Sequence, residues 1–133
     1  MEDYRDAAAR HFEDAKLLHI QIPPRLANAS HLYGFAGECA LKSIMAGKTG
    51  GGKTPHSHLP KIVAEFENHS AAKGNPRLLK SIKACCTGLT AWRVEERYYN
   101  RVAATFQSDR VQSEADAAKR LLGLLALWKK GAI

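Results

Sequence analysis

The chain has 133 residues and a mass of 14.6 kDa, too little to build two good cores, so it is expected to form a single domain, 1–133. Its 45% hydrophobic and 25% charged residues exclude a disordered chain, and no apolar run approaches the ~18 residues of a membrane span. Twenty Lys and Arg against 13 Asp and Glu give a net charge of +7, which points to a polyanionic partner or to solubility and is silent on fold.

The start, Met1-Glu2-Asp3-Tyr4-Arg5-Asp6, is acidic and lacks the apolar stretch of a signal peptide. The expectation is therefore a cytoplasmic domain without membrane association. The three cysteines agree with that compartment. Cys39 stands alone, and the adjacent Cys85 and Cys86 lack the spacing of a disulfide framework or a metal site. All three read as small buried hydrophobes.

The periodicity is helical nearly throughout. Tyr4, Ala8, Phe12, Ala15 and Leu18 form a stripe that Asp3 can cap and Pro23-Pro24 ends. A second helix is expected from about Arg25 to Ala46, with Leu26, Ala29, Leu32, Tyr33, Ala36, Ala40, Leu41 and Ile44 inward. It is rich in small residues, including Gly34 and Gly37. Each interior glycine costs about 1 kcal/mol of helix propensity, and close approach of another helix would offset it.

Residues 47–57 form the one flexible stretch. A short helix follows from Leu59 to about His69. Asn75-Pro76 reads as the cap and first turn of a fourth helix, whose stripe runs through Leu78, Leu79, Ile82, Cys86, Leu89 and Trp92 and resumes through Val94, Tyr98, Val102 and Phe106. Ser108 or Ser113 can cap a last helix, with Ala115, Ala118, Leu121, Leu122, Leu125 and Trp128 inward and Lys129-Lys130 at its negative end. No alternating run reads as a strand. The expected architecture is all-α, an antiparallel bundle of four long helices plus a short fifth.

Several motifs carry chemistry. Gly47-Lys48-Thr49-Gly50-Gly51-Gly52-Lys53-Thr54 fits the string of a phosphate-binding P-loop. That mechanism needs a strand before the loop and a helix directly after it, whereas here a helix precedes and Pro55 follows. His56 and His58 alternate in the loop without a third ligand, so no metal is expected. Arg25 and His31 are six residues apart, about 120° around a helix, so they meet a phosphate only from neighbouring faces. An imidazole beside a guanidinium suits metal-free RNA cleavage: the first moves the 2′-hydroxyl proton and the second stabilises charge on phosphorus.

Glu38 lies in the most apolar part of the second helix, and Lys42, four residues on, is a candidate ion-pair partner. Arg97 is another. The richest constellation is Trp92-Arg93-Val94-Glu95-Glu96-Arg97-Tyr98-Tyr99-Asn100-Arg101. Residues 73–110 hold eight Lys and Arg against three Asp and Glu. Arg93, Arg97, Arg101 and Lys83 are candidate phosphate contacts, with Trp92 and Tyr99 as stacking platforms for bases.

Three strings in order, Ala7-Ala8-Ala9-Arg10-His11-Phe12-Glu13-Asp14-Ala15, Asn28-Ala29-Ser30-His31-Leu32-Tyr33-Gly34-Phe35-Ala36-Gly37-Glu38-Cys39-Ala40-Leu41-Lys42 and Trp92-Arg93-Val94-Glu95-Glu96-Arg97-Tyr98, resemble a bacterial HEPN domain. The resemblance implies a helical bundle, usually dimeric. Many members are metal-independent ribonucleases of toxin–antitoxin or defence systems. Others lack the active site and bind RNA or nucleotides, often beside a nucleotidyltransferase. Active members carry an Arg followed within a few residues by His on a late helix. Here Arg97 and Arg101 occupy that region and no histidine follows them.

The reading favoured is thus a HEPN-like module that binds RNA, nucleotide or a partner protein, an antitoxin or nucleotidyltransferase among them. It is expected to be a homodimer without cofactor. The alternative is a metal-independent endoribonuclease using His31 or His11 with Arg97 and Glu38.

Overall fold

A computed structural model describes residues 2–133. The described chain is all-helical. Its α-helices are α1 (Tyr4–His19), α2 (Leu26–Met45), α3 (Lys61–Glu67), α4 (Ser70–Lys73), α5 (Pro76–Cys86) and α6 (Ser108–Lys129). Three short 3₁₀ turns, Thr87–Leu89, Val94–Tyr98 and Ala104–Phe106, bridge α5 to α6. No strand occurs among the described residues, and no helix is long and apolar enough to cross a membrane.

Local chemistry sets several boundaries. The Asp3 carboxylate accepts the Asp6 amide at 2.9 Å and starts α1. Asn75 accepts the Leu78 amide at 3.1 Å, and Pro76 opens α5 where its missing N–H costs nothing. The expected short helix is α3, and one further turn, α4, follows it, capped by His69, whose Nδ1 accepts the Ala71 amide at 3.1 Å.

Helix α2 is the centre of the molecule, packed on α1 along one side and α6 along the other. Ala29, Tyr33 and Ala36 meet Ala15 of α1 and Val111, Ala115 and Ala118 of α6 in one apolar cluster. Leu41, Ile44 and Met45 join a larger one with Ile62, Phe66, Leu78, Ile82, Leu89, Trp92 and Leu121. Cys39, Cys85 and Cys86 are buried free thiols, and burial pushes Cys39 up to about 11 and Cys86 up to about 12, which makes both unreactive.

Two expectations change. The fourth long helix does not run to Phe106: α5 ends at Cys86, and residues 87–107 continue as turns. Gly88 lies against α6, where a Cβ would stand 2.7 Å from the Ser113 carbonyl oxygen. Beyond it Trp92 turns into the core, 1% exposed, and its indole N–H donates to the Ser30 carbonyl at 3.0 Å. The second change concerns α2. Its glycines admit side chains of the same chain rather than a neighbouring helix backbone. A Cβ on Gly34 would fall inside the Trp92 indole, and one on Gly37 would stand 2.8 Å from Leu89 and 3.2 Å from Leu121. These two glycines are thus filled by side chains of the same chain.

Candidate functional site

The prolines that stop α1 and the turns that replace the expected helix face each other. Between them lies a cleft of about 680 Å³. One wall is Pro23, Pro24, Arg25 and Asn28; the other is Arg97, Tyr99, Asn100, Arg101 and Val102. The first wall is held to α1 by the Arg25 amide, which donates to the Leu18 carbonyl at 2.9 Å. The second is shaped by Asn100, whose side-chain oxygen accepts the Val102 amide at 3.0 Å and whose carbonyl accepts the Ala103 amide at 2.9 Å.

Arg25, Arg97 and Arg101 are all exposed, and none has a carboxylate within ion-pair distance among the described residues. Arg97 lies over the ring of its neighbour Tyr98, 4.8 Å from the centroid. Arg25 thus joins the two arginines singled out in the late segment, and His31 is not part of the cleft lining.

Glu96 is part of the same lining but turns inward. Its Oε1 accepts the Arg110 Nη2 and the Arg93 amide, each at 2.6 Å. Arg110 Nε lies 3.3 Å from Glu114 Oε2, and the Ser30 hydroxyl donates to Glu114 Oε1 at 2.6 Å. Glu114 is wholly buried. Burial pushes its carboxyl up to about 7; Ser30 and Arg110 oppose the rise, and Glu96 adds to it. This network keeps the carboxylate nearest the cleft engaged with Arg110, so the cleft arginines keep their charge for a ligand. The sequence carried a signal for it. Glu114 falls on the inward stripe of α6, three residues after Val111 and four before Ala118.

His31 is half-buried. Its ring meets Phe35 edge-on at 4.6 Å and stacks on Trp92 at 6.1 Å. Burial, then the charges of Arg97 and His11, hold its imidazole below the ordinary range, against a smaller pull from Glu38. His11 contacts the same Phe35 at 5.8 Å and is lowered chiefly by burial. Both rings are therefore neutral at neutral pH.

Glu38 is 2% exposed and fully engaged elsewhere. It lies 3.3 Å from Lys42 Nζ, its two oxygens are each 3.1 Å from His58 Nδ1, and it accepts the Leu59 amide at 3.1 Å. This buried carboxylate clamps the end of the 47–57 loop to α2. No hydrogen bond or ion pair joins it to Arg97 or His31 among the described residues; of the candidate set Arg97, His31 and Glu38, it is His31 that feels the charges of both others. His58, half of the candidate metal pair, is spent on this clamp, and no three metal-type ligands converge among the described residues. The Gly47–Thr54 string has α2 before it and Pro55 after it, without the strand a P-loop needs.

Three other candidates for nucleic-acid contact lie outside the cleft. Trp92 is enclosed on both faces and offers no surface to a base. Arg93 Nη1 folds back to donate to the Thr90 and Trp92 carbonyls at 2.7 and 2.9 Å. Lys83 pairs with Glu67 at 2.6 Å beside a separate apolar pocket of about 360 Å³ between α3 and α5. Comparison with family models, with curated proteins and with solved structures found no match to this chain.

Proposed function

We propose that this chain is a HEPN-like binding module that holds single-stranded RNA in the arginine cleft, as part of a toxin–antitoxin or defence system. One observation carries the reading: Arg25, Arg97 and Arg101 line one cleft with Tyr99 while no carboxylate neutralises them. Guanidinium forks match phosphate oxygens, and a half-exposed tyrosine supplies a stacking face. The resemblance of the α1, α2 and Trp92–Tyr98 strings to HEPN domains supports the same class, and the absence of a histidine after Arg97 favours binding over cleavage.

Filter binding of a labelled oligouridine tests the reading. Arg97→Ala and Arg101→Ala are each expected to weaken binding by about tenfold, the worth of one charge-assisted contact of about 1.5 kcal/mol. Failure of the wild type to bind at low salt overturns it.

The second reading, a metal-independent endoribonuclease, rests on the neutral imidazole of His31 within the field of Arg97. It requires that oligoribonucleotide cleavage in EDTA be lost in His31→Ala and retained in Lys83→Ala.

A further inference from the structure

Seven large hydrophobic side chains are exposed among the described residues, and five of them, Ile20, Ile22, Tyr98, Tyr99 and Val102, belong to or adjoin the two segments that wall the arginine cleft. Ile22 is 99% exposed and Val102 83%. The same lips carry no carboxylate: none occurs from Ala15 to Gly37 or from Arg97 to Ser108. A concave basic cleft thus carries exposed apolar side chains on or beside both of its walls, two segments about seventy residues apart in sequence.

Single exposed apolar residues need no explanation, but a cluster around a charged cleft marks an interaction surface. Phosphates and bases account for the arginines and Tyr99. They leave Ile22 and Val102 unexplained, because an aliphatic side chain presents no ring for a base to stack on. A second copy of this chain fits no better. Two-fold pairing sets a patch on itself, and here arginines would meet arginines with no carboxylate between them. The complement of this face is a polypeptide that brings both acid and hydrocarbon.

We infer that the cleft and its lips form a docking site for an acidic segment of a partner protein, whose carboxylates reach Arg25, Arg97 and Arg101 while its apolar side chains cover Ile20, Ile22 and Val102. Such a segment competes with RNA for the arginines and so governs access to the cleft. The inference shares with the RNA reading the free arginines, Tyr99 and the Val102 wall of the cleft; Ile20 and Ile22 belong to it alone. Tyrosine and arginine at the centre of the face are the residue types that anchor protein interfaces.

Selection from a random peptide library displayed on phage tests this, with the full chain as bait. Enriched peptides are expected to combine Asp or Glu with Leu, Ile or Phe. A synthetic peptide of the enriched sequence is expected to lose at least about tenfold in affinity for Ile20→Ser/Ile22→Ser and for Arg101→Ala. Ile20 and Ile22 are exposed and lie outside the cleft lining, so that double variant keeps the wild-type circular dichroism, and its oligouridine affinity is expected to change less than about threefold. Four results overturn the inference: no enrichment, enrichment without acidic residues, peptide affinity indifferent to the double variant, or a wild-type dimer in light scattering that the double variant abolishes, which makes a second copy the occupant. Loss of RNA binding by the double variant also counts against it, since the lips would then serve RNA. Loss of RNA binding by the wild type alone fails only the RNA reading.

Discussion

Glu114 illustrates how one buried side chain governs behaviour with pH. Its carboxyl titrates near 7 in the folded chain against 4.5 when solvated. Between those values the native state holds more protons than the unfolded state, so stability falls as pH rises from 4.5 to 7. At 1.36 kcal/mol per unit the loss is on the order of 3 kcal/mol. His11 and His31 work in the opposite sense, because burial lowers them and the unfolded state binds their protons first. The Glu114→Gln variant isolates the carboxyl from the histidines. Its stability relative to wild type is expected to rise as pH passes from 4.5 to 7, read by urea denaturation at each pH. A difference that does not vary with pH would mean that Glu114 is ionised throughout.

Glu38 gives a second test at the same scale. Removing its charge strands Lys42, whose ammonium is nearly as buried, and breaking such a pair costs about 3–5 kcal/mol. Glu38→Gln is therefore expected to lower the melting temperature well below that of Glu95→Gln, which alters an exposed residue. Equal melting temperatures would refute the clamp.

Among the elements, those with strong helical period or a side-chain cap were legible from sequence, although the last helix starts at Ser108 without the serine cap expected for it. Asp3, Asn75-Pro76 and the apolar stripes of α1, α2 and α6 placed those helices within a few residues. Residues 87–107 were not, because Val94, Tyr98, Val102 and Phe106 recur every four residues while the backbone runs as turns, three of them 3₁₀. What decides the path is tertiary: the Trp92 indole occupies the space that Gly34 leaves on α2, an interaction across 58 positions that no local window contains. The glycine was visible as a cost in α2, and its occupant was not. Gly34→Ala is accordingly expected to destabilise the fold although alanine is the better helix former. The loss should be near the upper end of the roughly 1–3 kcal/mol of overpacking. Chemical denaturation measures it, and a neutral or stabilising effect would show that the indole can move.

At the scale of the whole molecule, part of the basic surplus is gathered at one place. Lys83 and Arg110 are consumed by Glu67, Glu96 and Glu114, while Arg25, Arg97 and Arg101 converge free on one cleft. Clustering of Arg97, Tyr99 and Arg101 was legible in the sequence, since they are neighbours in the chain. The contribution of Arg25 was not, because only the fold brings the end of the α1–α2 connection to residues 96–106. Trp92 and Arg93 had the right composition for the interface and the wrong direction: the core claimed the indole and nearby carbonyls claimed the guanidinium.

The salt dependence of RNA affinity tests the central claim most directly. Each phosphate neutralised on a single strand contributes about −0.7 to the slope of log K against log salt. Three free arginines predict a wild-type slope of about −2, measured by filter binding of oligouridine between about 50 and 200 mM salt. Each of Arg25→Ala, Arg97→Ala and Arg101→Ala is expected to make that slope shallower by about 0.7, and Lys83→Ala and Arg93→Ala to leave it unchanged. A slope that responds to Lys83 or Arg93 and ignores the three cleft arginines would contradict the account.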